Sequence, residues 1–129
     1  DKFIKIRNLN RKKIINELDK SNKIRDKITI IKENDGVKAS WFGIPIILSR
    51  KINKKLFIKK IENKGIETRP IISGNFLKQP SIKKYNLKTN SKMKNADYIN
   101  NFGFFIGLPT KIISTLIIKK LVKVFEQSV

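Results

Sequence analysis

The chain of 129 residues has no cysteine and no histidine. Without cysteine there is no disulfide framework, and a reducing cytoplasm is the expected home. Without histidine the commonest general base near neutral pH and the commonest metal ligand are both missing, and no metal site is expected. No apolar run approaches the roughly 20 residues that span a bilayer, and no charged-then-hydrophobic leader opens the sequence, so no membrane partner is expected. It opens at Asp1 rather than Met, which suggests a trimmed or partial product. Acidic residues are scarce too: 10 Asp and Glu stand against 30 Lys and Arg, for a net charge of +20. At this length the chain is one domain with room for a modest core.

The charge admits a small basic nucleic-acid-binding protein as an alternative function. The composition argues against it. There are 25 Lys to 5 Arg, with 24 Ile and 13 Asn. Lys, Ile and Asn are written by codons rich in A and T, and together they supply 62 of the 129 residues. A strongly AT-biased genome therefore explains the charge without a nucleic-acid partner. Nucleic-acid readers also favour Arg, whose planar fork suits phosphate and guanine. The alternative would require Lys and Arg gathered on one face beside exposed aromatics.

Residues 2–20 read as a helix with Ile14, Ile15 and Leu18 as its apolar patch, and with Asn8, Asn10, Arg11 and Lys12 on a face that is solvated or, as the other reading, turned to a partner domain. Residues 28–31 make a short strand, closed by the turn Asn34-Asp35-Gly36. Phe42, Ile44, Ile46 and Leu48 alternate with Gly43, Pro45 and Ile47, the period of a strand with one buried face. Pro45 cannot donate to a ladder, which predicts an edge strand or a bulge there. Asn53 caps a helix over 54–64 with Leu56, Phe57 and Ile61 as its stripe, and Gly65 suits the left-handed position after it. Residues 66–72 return as a strand. From Pro80 to about Lys94 the chain is a lysine-rich loop, with Tyr85 and Leu87 as anchors. A short helix over 96–101 ends at Gly103, a strand covers 104–108, and Ser114 caps a closing helix bearing Ile118, Leu121, Val122 and Phe125. Strands alternating with helices give the α+β class, a small sheet covered mainly on one face by helices.

One stretch carries residues that a core strand does not need. Arg69 precedes Pro70, so its backbone is biased to extended geometry and its side chain can stand off the sheet. A guanidinium so placed can clamp a phosphate or sugar hydroxyls, or it can pair with Glu67 or Asp97 at the surface. Ser73-Gly74-Asn75 reads as a plain turn. Together with Phe76, Gln79 and Pro80 it also reads as a specified loop whose amides match the mixed donors and acceptors of a hexose. Ile71 and Ile72 are expected to anchor the strand behind it. Trp41 and Phe42 read as core or domain-interface aromatics, Phe104 and Phe105 as core.

The run from Ile66 to Pro80 closely resembles the "ETRP…GN…QP" segment in the C-terminal domain of the DegT/DnrJ/EryC1/StrS family, whose members are pyridoxal-phosphate-dependent enzymes acting on nucleotide-linked keto sugars. Ser40-Trp41-Phe42-Gly43-Ile44-Pro45 upstream, and Ala96-Asp97 with Gly103-Phe104-Phe105-Ile106-Gly107 downstream, follow in that family's order, so the resemblance covers most of the chain. It implies a small, mainly antiparallel sheet covered by helices, as in the small domain of fold-type I pyridoxal-phosphate enzymes. Residues 1–27 would be the helix linking an absent N-terminal cofactor domain to a C-terminal small domain at 28–129. It implies a nucleotide-sugar substrate touched by Arg69, Ser73, Asn75, Phe76 and Gln79, a homodimeric full-length enzyme, and a place in lipopolysaccharide or surface-polysaccharide synthesis. No catalytic residue is assigned here. In the family the lysine that holds the cofactor and the acid against its pyridine nitrogen lie in the large domain, and in the dehydratase branch a histidine replaces that lysine. Pyridoxal phosphate is thus expected in the full-length enzyme, with none bound by this chain alone, which is expected to be inactive. The form of the segment is nearer the dehydratase-like branch, with aminotransfer as the other reaction.

Overall fold

The computed structural model describes residues 1–85 and 92–129. The elements in chain order are α1 (Lys2–Asp19), β1 (Ile28–Ile30), β2 (Gly43–Leu48), α2 (Lys54–Glu62), β3 (Thr68–Pro70), α3 (Lys94–Phe102), β4 (Gly103–Gly107) and α4 (Thr115–Glu126). Two 3₁₀ turns, Phe76–Lys78 and Pro80–Lys84, lie between β3 and α3. The strands form one sheet in the order β1-β2-β4-β3, every pair antiparallel. The loop expected after Pro80 is therefore helical in its first turns. Leu87, read as an anchor there, lies outside the described residues.

The punctuation acts as the sequence indicates. The Asn53 side chain accepts from the Leu56 amide at 3.1 Å, and that of Ser114 from the Ile117 amide at 3.4 Å, satisfying donors at the two helix starts. Gly65 follows α2 at φ +83°, the left-handed conformation that only glycine adopts without strain. On the core face, Ile44, Ile46 and Leu48 of β2 and Phe104 and Ile106 of β4 meet Ile14 and Leu18 of α1, Phe57 and Ile61 of α2, and Ile118 and Phe125 of α4. Phe57 is the hinge of this core, its ring centroid 5.8 Å from that of Phe104 and 5.5 Å, edge-on, from that of Phe125. Leu56 is exposed rather than part of the α2 stripe, because a nine-residue helix turns only one narrow face to the sheet.

Three further expectations need correction. First, β2 is an inner strand without a bulge: Pro45 sits opposite Phe105 of β4 in an unbroken register. The missing donor is tolerated because β1 stops one residue short of it. The Pro45 carbonyl accepts from the Ile31 amide at 3.2 Å, and the Ile31 carbonyl, which a non-proline residue at 45 would satisfy, accepts instead from Arg11 Nη2 at 2.7 Å. Second, Phe42 does not share the buried face of Ile44: it is 59% exposed and packs edge-on against Phe105 on the opposite face. The alternation breaks at Gly43, where a Cβ would lie 2.7 Å from the Phe105 ring. Third, Asn10 is not solvated. It is fully buried, its amide nitrogen donating to the carbonyls of Pro109 (3.2 Å) and Lys111 (2.8 Å) and its oxygen accepting from the Ile113 amide (3.0 Å). One side chain of α1 thereby holds the whole β4–α4 connection.

The face of the sheet opposite the core is only partly covered. Gly103 alternates with Phe104 and so points to that face, where a Cβ would meet Ile71 Cδ1 at 2.8 Å and Ile99 Cγ2 at 3.3 Å. Ile71 and α3 therefore cover one end of it. The other end, around Phe105, stays open.

Candidate functional site

The strand expected over 66–72 is ordered as a strand only at Thr68–Pro70, on the edge of the sheet. Pro70 ends it, since it has no N–H to continue a ladder. Beyond it the chain turns sharply, with Ser73 at φ +67° and Gly74 at φ +44°. A serine in the left-handed region is unfavourable on its own account, so the surrounding contacts must hold it there.

Those contacts come from α3. Asn75 is 4% exposed; its Nδ2 donates to Asp97 Oδ1 at 2.8 Å and its Oδ1 accepts from the Leu77 amide at 3.0 Å, capping the 3₁₀ turn. The Asn75 amide donates to Asn100 Oδ1 at 3.3 Å. Gly74 is needed where it stands, because a Cβ there would lie 2.3 Å from that same oxygen. Lys78 closes the loop from outside, with Nζ 2.7 Å from Asp97 Oδ1, and Gln79 Nε2 donates to the Ser73 carbonyl at 3.2 Å. The Lys78 ammonium, and after it the Asn75 amide, hold the Asp97 carboxyl below its usual range.

The loop borders the open end of the sheet. Phe42, Arg69, Pro70, Ile72, Phe105 and Gly107 line an apolar hollow of about 530 Å³. Ile72 is 78% exposed and does not anchor the strand; Ile71 alone packs behind it. Arg69 also borders a second groove of about 540 Å³, shared with Lys64, Ile66, Lys120 and Leu121. Its guanidinium pairs with Glu67 at 2.8 Å, both side chains well exposed. Of the two ion-pair partners anticipated for Arg69, Glu67 is the one it meets. Such an exposed pair contributes at most about 1 kcal/mol and can be exchanged for another anion.

Of the five candidate residues, then, Arg69, Ser73 and Phe76 are exposed, Arg69 alone of the five lining the hollow, Gln79 is half-buried with its amide on the loop backbone, and Asn75 is turned inward. Asp97 and Asn100 were missed as loop partners. The signal was present in part, since Ala96-Asp97 belongs to the motif order, but nothing in the spacing joins position 75 to 97. Trp41 is half-buried beneath Arg11, whose guanidinium carbon is 4.2 Å from the ring centroid, and it donates to Glu33 at 2.8 Å.

No protein-family model matches the chain. A curated relative, the GDP-4-keto-6-deoxy-D-mannose 3-dehydratase of Escherichia coli O55:H7, is 34% identical over 73 residues, covering 54% of this chain and 19% of the relative. The solved structure of the E. coli enzyme of that name, with bound hydrated pyridoxal phosphate, superposes with a TM-score of 0.83 at 25% identity, covering 96% of this chain and 31% of that one. A DegT DnrJ EryC1 StrS aminotransferase from Brucella abortus shares the fold at TM-score 0.68 and 13% identity, covering 91% and 30%. The resemblance to the DegT/DnrJ/EryC1/StrS small domain holds. The chain spans less than a third of the length of these relatives.

By the resemblance, the lysine that carries pyridoxal phosphate, or the histidine that replaces it in the dehydratase branch, belongs to the large domain. Among the described lysines, Lys54 is the one whose amino group burial pulls below its ordinary pKa, and it donates to the Asn100 carbonyl at 3.1 Å at the end of α3. That is a helix-terminus contact. Among the described residues no cluster of Asp and Glu is arranged to hold a metal ion, and no helix is long and apolar enough to cross a membrane.

Proposed function

We propose that this chain is the small C-terminal part, residues 28–129 led in by α1, of a pyridoxal-phosphate enzyme that acts on a GDP-linked 4-keto-6-deoxy sugar in surface-polysaccharide synthesis. The large domain would hold the cofactor and supply the lysine-or-histidine chemistry; this chain would supply one wall of the sugar-nucleotide pocket. The full-length enzyme would be a cytoplasmic homodimer. The observation that carries the reading is the coincidence of 34% identity to a dehydratase of this substrate class with the rigidly built loop beside an uncovered apolar face. Another solved dehydratase of that name, also matching at TM-score 0.83, was captured with GDP-perosamine, a nucleotide-linked sugar. Between 3-dehydration and aminotransfer, the names of the sequence relatives favour dehydration.

In this reading Arg69 exchanges Glu67 for an anionic group of the substrate, Ser73 and Gln79 meet hydroxyls, Phe76 covers an apolar sugar face, and Asn75 keeps the loop in register with them. The charge-assisted contact from Arg69 would contribute on the order of 1.5–3 kcal/mol. In the full-length enzyme Arg69→Ala should then raise KM for the nucleotide sugar at least about tenfold, while the melting temperature stays within a degree or two because the Glu67 pair is exposed. A variant that melts early yet keeps normal kinetic constants would make Arg69 a structural ion pair and remove it from the pocket.

A further inference from the structure

The loop 73–79 is held by side chains that it does not itself own. Asp97 and Asn100 lie on one face of α3, three residues apart, and both reach the same short segment: Asp97 takes the Asn75 side-chain amide and the Lys78 ammonium, and Asn100 takes the Asn75 backbone amide. Asn75 passes the constraint on through its Oδ1, which fixes the Leu77 amide and so the start of the 3₁₀ turn carrying Phe76. Ser73 and Gly74 occupy left-handed backbone geometry just before this clip. Strained backbone survives only where surrounding contacts over-determine it. Here those contacts come from α3, from the loop's own Gln79, and from the Gly74 amide, which donates to the Ile71 carbonyl at 3.0 Å.

From this geometry we infer that Asp97 and Asn100 are positioning residues for substrate recognition, acting through Asn75 to set where Ser73, Phe76 and Gln79 stand in the loop that follows Pro70 and Ile72 of the apolar hollow. Neither touches the substrate. The inference rests on the proposed reading of the loop as substrate-facing and extends it to α3. Because α3 runs directly into β4 at Gly103, the clip ties the loop to the centre of the sheet rather than to another surface segment. A pre-ordered loop loses little conformational freedom when a ligand arrives, so loosening it should appear as weaker binding more than as slower chemistry.

The test has two arms. The first uses the 129-residue chain and follows amide hydrogen exchange by NMR in Asn100→Ala and Asp97→Ala. Exchange at the Asn75 and Leu77 amides should rise at least tenfold, while the β4 amides of the core stay protected. Unchanged exchange at 75 and 77 would overturn the clip itself, and collapse of protection in β4 would show that the two residues serve the core instead of the loop. The second arm uses the full-length enzyme and a GDP-linked keto-deoxy sugar. Both variants should raise KM by about tenfold with kcat within about twofold, and Asp97→Glu, which retains the carboxylate, should recover part of the loss. Faster loop exchange with an unaltered KM would refute the positioning role while leaving the clip intact. A wild-type enzyme that turns over no nucleotide sugar would sink the functional reading alone, since the exchange arm stands independently of it.

Discussion

Asn10 and Arg69 mark the two extremes of what a polar side chain does in this molecule. Asn10 is buried with three hydrogen bonds to a single connection, so Asn10→Ala strands two carbonyls and the Ile113 amide without partners. It should cost about 2–4 kcal/mol of unfolding free energy, measured by urea denaturation. A loss below about 1 kcal/mol would mean that the 109–113 connection repacks without it. Arg69→Ala should change the same quantity by less than about 0.5 kcal/mol. Acid stability has a residue-scale cause as well. Asp97, by its bonds from Lys78 and Asn75, and Glu33, by those from the Ala39 amide and the Trp41 indole, both ionise below their ordinary values. A depressed carboxylate contributes stability that is present above its unfolded pKa and is lost as pH falls through the lower folded value. Asp97→Asn should therefore lower the neutral plateau slightly and flatten part of the decline below about pH 4, leaving stability at lower pH little changed. An acid limb identical to that of the unaltered chain would assign the decline to other groups. The roles of Asn10 and Asn75 cannot be read from neighbouring letters: Asn10 finds its partners about a hundred positions away, and Asn75 finds Asp97 across the 3₁₀ turns.

At the scale of elements, what was legible in the sequence was what local chemistry decides. Asn53, Gly65 and Ser114 announce helix ends because a cap acts within three residues of itself, and the 3.6-residue repeat of Ile118, Leu121, Val122 and Phe125 marks the face of α4 that meets the core. The candidate loop was legible as a loop for the same reason, Ser73-Gly74 and Pro80 forbidding a continued strand, although Pro70 ends the strand two residues before the expected Ile72. The faces and neighbours of β2 were not legible. Pro45 argued for an edge, yet β2 is central because Arg11, from another element, supplies the donor that proline lacks. Phe42 fell out of the alternation because Gly43 lets the chain pass beneath the Phe105 ring. Gly43→Ala should test this account: its Cβ would press on that ring and, at 2.8 Å, on the Ile106 carbonyl oxygen, costing about 1–3 kcal/mol by thermal or urea unfolding. A neutral outcome would show that Phe105 can swing away freely and that the close approach is incidental.

At the scale of the whole molecule, the helices of the core face leave the opposite face open around Phe42, Ile72 and Phe105, and α1 exposes Phe3, Ile4 and Leu9 as well. The exposed aromatic of the Ser40–Pro45 segment is Phe42; Trp41 is tucked under Arg11. A charge of +20 with Lys far outnumbering Arg reads as composition, so binding to duplex DNA should be weak, indifferent to sequence and lost at moderate salt; tight, sequence-selective binding at physiological salt would restore the nucleic-acid alternative. The central claim is that this chain works as the small domain of a nucleotide-sugar enzyme. The measurement that tests it most directly is turnover of GDP-4-keto-6-deoxymannose by the full-length gene product, with and without added pyridoxal phosphate. The account predicts cofactor-dependent consumption of the sugar nucleotide that weakens in Arg69→Ala. A folded, cofactor-loaded protein that leaves the sugar nucleotide untouched would contradict it.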